Sequence, residues 1–93
     1  MTKAVLSVLG KDRAGIIAKI SACLAEDKVN IRDISQTIVQ DYFTMIMLVD
    51  ISESNRPIAE IGERLKKIGE ELGVDVSLRH EDVFNAMHNI KTV

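Results

Sequence analysis

The segment Leu9-Gly10-Lys11-Asp12-Arg13-Ala14-Gly15-Ile16 decides the fold, because the hydrophobic periodicity changes across it. Before it, Ala4–Leu9 is a nearly continuous apolar run, typical of a strand inside a sheet. After it, apolar residues recur at spacings of three and four, as in an amphipathic helix: Ile16, Ile17, Ile20, Cys23 and Leu24. The segment is therefore a turn, with a glycine near each end, that joins a strand to a helix.

A β-hairpin is predicted downstream of this helix. Asn30–Val39 returns to a two-residue period, with Ile34 and Ile38 on one face and a polar face that we expect to be exposed. Gln40-Asp41 predicts a tight turn into a central strand over residues 42–51.

A second helix and a fourth strand follow. Ser54 is a cap candidate, and Pro57 stands where a helix can begin. The helix carries a narrow apolar stripe and stops at Gly73; the stripe consists of Ile58, Ile61, Leu65, Ile68 and Leu72. Its outer face offers i,i+4 ion pairs, such as Glu60 with Arg64. Residues 74–81 alternate like a strand with one wet face, and Asp82 is placed to cap a tail helix over residues 83–90.

The order β-α-β-β-α-β predicts an α+β fold, a ferredoxin-like sandwich. The antiparallel sheet has the order 4-1-3-2, with two helices on one face, plus a short C-terminal helix. The second and fourth strands lie at the edges. The second lacks the prolines and the density of lysines that usually protect an edge, so we expect dimerisation.

Composition restricts the class of protein. The 93 residues suffice for one domain, and 46% hydrophobic residues with one proline argue against disorder. A net charge of −2 and 3% aromatic residues speak against a nucleic-acid partner. The lone Cys23, the absence of a charged leader and the shortness of the apolar runs predict a cytoplasmic protein without a membrane anchor.

Catalysis is not predicted. His80 and His88 stand near the end of the chain without a serine or cysteine motif to serve. Ile16-Ile17 occupies the place where a phosphate-binding loop needs lysine and serine or threonine. A metal site could in principle include His80, Glu81 and His88. The favoured interpretation is that they are ordinary polar residues around the end of a strand. We expect no cofactor and no metal.

The strand-to-helix turn is the candidate binding site. The first N–H groups of a helix lack intrahelical partners and carry the positive end of its dipole, so they can hold a carboxylate. Asp12 either caps the helix or faces the ammonium group of a ligand. Gly15 serves either close packing or a ligand that needs room, and Arg13 is interpreted as a solvated charge.

Gly10–Ile16, the helix that follows and Val29-Asn30-Ile31 together resemble an ACT domain. The resemblance covers the chain up to about Glu81, so residues 1–93 are interpreted as one such domain with a core over residues 3–81. It implies an effector site between this turn and the start of the second strand of a neighbouring subunit. The residues implied are Gly10, Lys11, Asp12, Arg13, Ala14, Gly15, Ile16, Asn30 and Ile31. For Asn30 a role in the turn alone is the alternative.

The tail from Val83 to His88 is similar to that of small proteins that consist of a single ACT domain. These proteins form the group of ACT domains that resembles the glycine-cleavage repressor. The resemblance implies a regulatory protein, an allosteric sensor that binds an amino acid at a homodimer interface and signals by ligand-linked association. A homodimer or higher homo-oligomer and a separate target protein are the expected partners. The alternative is a ligand-independent adaptor for dimerisation. The tail helix either completes the core or docks on a partner.

Overall fold

The structure is a computed structural model that describes residues 1–88 of the chain. The elements are β1 (Lys3–Lys11), α1 (Ile16–Glu26), β2 (Asn30–Val39), β3 (Tyr42–Asp50), α2 (Ile58–Leu72), β4 (Val74–His80) and α3 (Glu81–His88). The predicted βαββαβ order and the short C-terminal helix are confirmed. That helix begins two residues before the predicted start at 83, and its predicted end at Ile90 lies outside the described residues.

The strands form one antiparallel sheet in the order β2-β3-β1-β4, which is the predicted order. On the face that carries α1 and α2, Leu6 lies opposite Met47 on β3 and Leu78 on β4. Leu6 and Met47 are fully buried there. The helices close this core with Ile16, Ile20, Cys23 and Leu24 from α1 and Ile61, Leu65 and Leu72 from α2. Each large apolar side chain so buried stabilises the fold by about 1.5–3 kcal/mol.

The opposite face of the sheet, here called the open face, is covered only near one end. Val5 points to this face because it alternates with Ala4 and Leu6, yet it is 7% exposed. We attribute its burial to α3, which contacts β1 and β4. Further along the open face, Leu9 and Ile46 remain about half exposed.

Strand β2 is exposed on both of its faces. Ile34 and Ile38 lie opposite Met47 and Phe43, on the same side as the helices. They are nevertheless 43% and 52% exposed, and no residue of β2 belongs to the described core. The polar face is thus exposed as predicted, and the apolar face is exposed as well, because β2 lies at the sheet edge beyond the cover of α1 and α2.

The ends of the later helices also correct two predicted caps. Pro57 is the N-cap of α2, and the Ser54 hydroxyl instead accepts the N–H of Arg56 at 3.2 Å. Asp82 lies in the first turn of α3 and does not precede it. Gly73 ends α2 with a left-handed φ of 73°, as predicted for a glycine stop.

Candidate functional site

The turn between β1 and α1 is exposed and anchored by its backbone. The N–H of Asp12 donates to the carbonyl of Asp41 at 2.7 Å, which ties the turn to the β2–β3 hairpin. Gly15 is the N-cap of α1, with φ 90° and ψ 0°, and the helix has no side-chain cap. The interpretation of Asp12 as the cap is therefore wrong, and Asp12 is an exposed residue of the turn.

The start of α1 leaves backbone N–H groups without intrahelical partners. The N–H of Lys19 donates to the carbonyl of Gly15 at 3.0 Å, so the N–H groups of Ile16, Ile17 and Ala18 precede the helical ladder. A Cβ added at Gly15 would meet no atom within 4 Å, so this glycine does not serve close packing. Its positive φ requires a glycine, and the space beside it is open.

Other residues of the turn have structural roles. A Cβ on Gly10 would lie 2.7 Å from Val74 Cγ1, so Gly10 permits the close approach of β4. Arg13 Nη1 donates to the carbonyl of Leu72 at 3.2 Å, where its charge favours the C-terminal end of α2. Arg13 thus links the β1–α1 turn to the end of α2 and is not simply a solvated charge. Ile16 is a core residue with 2% exposure, so only its backbone can meet a ligand.

Asn30 lies at the other end of the sheet. It pairs with Asp50 on β3, which in turn pairs with Lys3 at the start of β1. The β1–α1 turn follows Lys11, whose partner is Tyr42 at the start of β3. Asn30 is exposed and starts a strand, whereas the left-handed residue of this connection is Lys28, with φ 57°. The structure therefore does not bring the two predicted halves of the site together within one chain.

An ion cluster at the opposite end of α1 from the turn escaped the sequence analysis. Asp27, at the C-cap of α1, is 1% exposed and receives Arg56 Nε at 2.8 Å and Arg64 Nε at 3.1 Å. Arg64 also pairs with Glu26 at 2.9 Å, and Glu60 pairs with Arg56 at 2.8 Å. In place of the predicted Glu60–Arg64 pair, Arg64 joins α2 to the end of α1, and Glu60 pairs with Arg56 just before α2. No local pattern signals this cluster.

The pKa values of Cys23 and Arg64 reflect the environment of this cluster. Burial raises the pKa of the Cys23 thiol, and the nearby Arg64 opposes that effect only in part. The carboxylate of Asp27 raises the pKa of Arg64, which keeps its guanidinium charged. Cys23 is therefore a core thiol with little thiolate, unsuited to nucleophilic chemistry.

A groove of about 480 Å³ lies elsewhere, between α2 and the outer side of β4. None of the predicted binding residues lines it. Within residues 1–88 there is no group of three or more histidine, cysteine or acidic side chains that could hold a metal ion. No helix in that part of the chain is long and apolar enough to cross a membrane.

Comparison with known proteins identifies the family. The ACT domain family matches residues 2–79. A UPF0237 protein of Methanopyrus kandleri is 56% identical over 90 residues, which cover 97% of this chain and all of that protein. The solved ACT domain protein from Streptococcus pneumoniae is 35% identical with a TM-score of 0.77, over 89% of this chain and 93% of that one.

A more distant structure shares the fold alone. A putative glycine cleavage system transcriptional repressor is 22% identical with a TM-score of 0.72, over 85% of this chain and 45% of that one. The topology, the turn between β1 and α1 and the match over nearly the whole length agree, and the chain belongs to the ACT domain family.

Proposed function

We propose that this protein is a non-catalytic regulatory module that binds a small amino acid between two chains. The turn of one chain and the Asn30 of another form the site. The observation that carries the proposal is the position of these groups at opposite ends of one sheet. Asn30 lies level with the last residue of β3, and the turn follows the position level with its first residue. The nine residues of β3 separate these two levels by roughly 26 Å at ~3.3 Å per residue. A single chain cannot close both around one small ligand.

A two-fold contact between β2 strands removes this separation along the strand direction and leaves three strand spacings, roughly 14 Å at ~4.8 Å each, between β1 and the β2 of the second chain. In an antiparallel pair, the start of one strand lies beside the end of the other. Asn30 of the second chain then lies near Val39 of the first. Val39 precedes the hairpin turn, and Asp41 in that turn binds the backbone of Asp12. The contact therefore brings Asn30 of the second chain to the end of the sheet that carries the β1–α1 turn.

The exposed side chains of β2 supply a driving force for this contact. Ile34 and Ile38 face the helix side without cover, and the outer edge of β2 has no partner among the described strands. An unpaired edge accepts another strand, and burial of apolar area stabilises the pair. Association at this edge would cover what the single chain leaves exposed.

The exposed groups at the turn suit a zwitterion. The N–H groups at the start of α1 can hold a carboxylate, because they are unpaired and carry the positive end of the dipole. The carboxylate of Asp12 can accept from an ammonium group, and the amide of Asn30 can donate or accept. Asp12 and Asn30 are both exposed, so neither must leave a core contact to bind.

Regulation follows if the ligand binds the associated chains more tightly than the separated ones. Effector concentration then sets the fraction of associated chains. A separate target protein would respond to the associated form. We place this module in the cytoplasm, in agreement with its free thiol Cys23.

A thermal-shift screen against the twenty amino acids tests the proposal. A ligand at a hundred times its Kd adds about 2.7 kcal/mol to stability, which corresponds to several degrees for a domain of this size. Asp12→Ala and Asn30→Ala should each abolish the shift. Asn55→Ala, an exposed asparagine outside the site, is the matched control and should retain it.

Mixing the two variants shows whether the site is shared between chains. A mixed dimer of Asp12→Ala and Asn30→Ala chains has one site with both changes and one site with neither. Calorimetric titration of the mixture should recover binding at up to one site per mixed dimer. If the mixture binds nothing although mixed dimers form, the shared site is wrong.

A second function has one observation in its favour. Ile34 and Ile38 are exposed in the ligand-free chain, so association at β2 needs no effector to be favourable. In that case the protein is a ligand-independent adaptor. It would run as a dimer while no amino acid shifts its melting temperature, and Asp12→Ala would leave both properties unchanged.

A further inference from the structure

Strand β4 forms the second edge of the sheet, and the proposed effector site does not use it. It pairs with β1 on one side only, and no described strand lies on its other side. Its seven residues contain neither proline nor lysine, two residues that commonly protect edges from pairing. The backbone groups along this edge are therefore available to another strand.

A groove with apolar residues on its floor and charged residues, including Glu63 and Lys66, in its lining runs beside the same edge. It is lined on the helix side by Ile58 and Gly62 of α2 and by Val76 and Leu78 of β4. Leu78 is only half-buried, although its neighbours Leu6 and Val76 on this face are buried. A strand added to β4 would place its own side chains against these apolar residues.

The charges of β4 are complementary to a second copy of β4. On the open face the strand presents Asp75, Ser77 and Arg79 in succession. In an antiparallel pair centred on Ser77, Asp75 of each chain lies opposite Arg79 of the other, and Val76 lies opposite Leu78. Opposite charges at this position in a pair of strands attract, and like charges repel.

The alternative registers lack this match. A pair centred on Asp75 sets two carboxylates against each other, and a pair centred on Arg79 sets two guanidinium groups together. Centres at Val76 or Leu78 leave no acid opposite a base. The register is thus determined by the charges, as expected where a sheet edge selects one partner.

The side chains of Ser77 and Arg79, at and near the centre of this pair of strands, already form hydrogen bonds within the single chain. Arg79 Nη1 donates to Ser77 Oγ at 2.9 Å, and Ser77 Oγ lies 2.8 Å from Ser7 Oγ. These bonds hold the guanidinium close to the open face beside Ser77. Helix α3 contacts β1 as well as β4, and its Val83 lines the groove where β4 ends.

We propose that two chains pair through their β4 strands, antiparallel about Ser77, and thereby bury the groove between α2 and β4. This contact is independent of the effector site at the β1–α1 turn. Because each contact is two-fold symmetric, a chain that uses both edges associates beyond a dimer.

Charge reversal tests the contact with the full-length chain. Asp75→Arg and Arg79→Asp each turn two attractive pairs into repulsive ones, so each should weaken β4 association by at least about tenfold in sedimentation equilibrium. An equimolar mixture of the two variants restores opposite charges and should associate as the unmodified chain does. The double variant, D75R with R79D, should also associate. Glu71→Arg, a reversal on the exposed side of α2, is the control and should change nothing.

Several outcomes would overturn the proposal. It fails if the unmodified chain is monomeric, if neither reversal changes the mass, or if the mixture stays dissociated while both variants fold. Arg79→Asp removes a bond to Ser77; if it unfolds, Asp75→Arg compared with the Glu71→Arg control carries the test. Effector-induced thermal shifts should survive in Asp75→Arg, so failure of this contact and failure of the proposed function give different results.

Discussion

Arg64 Nε lies 3.1 Å from Oδ2 of Asp27, although 37 positions separate the two residues in the chain. The other oxygen of the same carboxylate receives Arg56 at 2.8 Å. One buried acid therefore joins the end of α1 to the segment just before α2 and to the middle of α2. The carboxylate of Asp27 accepts from two charged guanidinium groups, and neither arginine is deeply buried.

Replacement of Asp27 by alanine should destabilise the fold by about 2–3 kcal/mol, because bonds between charged groups at a buried acid are lost. Urea unfolding followed by circular dichroism measures this change. Glu26→Ala is the matched control, since Glu26 pairs with the same Arg64 from an exposed position. It should cost less than about 1 kcal/mol. Equal losses in the two variants would contradict the role given to Asp27.

Two glycines of α2 should respond to alanine with opposite signs. At Gly62 an added Cβ lies 3.8 Å from Leu78 Cβ, an ordinary contact, so Gly62→Ala should stabilise by about 0.5–1 kcal/mol. At Gly69 the same atom would lie 2.6 Å from Val76 Cγ2 and 2.8 Å from the carbonyl of Val74. Gly69→Ala should therefore destabilise by about 1–3 kcal/mol. Melting temperatures of the two variants and the unmodified chain, measured in parallel, test both signs.

Asp50 should contribute a pH-dependent part of the stability. Hydrogen bonds from the backbone and then the hydroxyl of Ser52 lower the pKa of Asp50, and the N–H of Thr2 adds to the effect. A lowered folded pKa means that the contribution is complete above the unfolded value, about 3.9, and is lost as the pH falls through the folded value.

Urea unfolding between pH 2 and 6, a range set about the ordinary value near 3.9, should show this loss in the unmodified chain. Asp50→Asn should flatten the acid part of the curve and lower stability at neutral pH. Glu71→Gln, a change at an exposed acid on α2, should leave the slope intact. An unchanged acid slope in Asp50→Asn would refute the assignment.

Cys23 should be protected from alkylation while the chain is folded. The thiol is 2% exposed, and burial raises its pKa, so both access and thiolate are scarce. With iodoacetamide at pH 8, the reaction should be at least about a hundredfold slower in buffer than in denaturing urea. Mass spectrometry of quenched samples follows the modified fraction. A comparable rate in both conditions would show that α1 opens readily at this position.

The hydrophobic periodicity of the sequence predicted those boundaries of helices and strands that depend on local repeats. The start of α1 at Ile16 and the full extent of β2 coincide with changes between the helical and the extended period. The sheet order followed from right-handed crossovers. The cluster at Asp27 could not be predicted in this way, because its partners come from distant positions and follow no repeat.

The exposure of the apolar face of β2 and the distance between the two parts of the site within one chain were beyond the sequence for a related reason. Alternation assigns Ile34 and Ile38 to one face but does not say how far the helices extend over it. Likewise, the match of Asn30 to a binding position does not reveal its distance from Gly15. Both depend on the arrangement of whole elements in space.

One irregularity of β2 gives this edge an unusual tolerance. Ile31 pairs with Val49 and Asp33 with Leu48, so the register shifts and Arg32 is the additional residue of a bulge. The shift places Ile31 on the same side as Ile34, although three positions separate them. Loss of a residue normally turns the rest of a strand over, but here the loss of Arg32 would restore regular alternation from Ile31 to Val39. Arg32 is thus a spare residue, and this strand can shorten by one without reversing its faces.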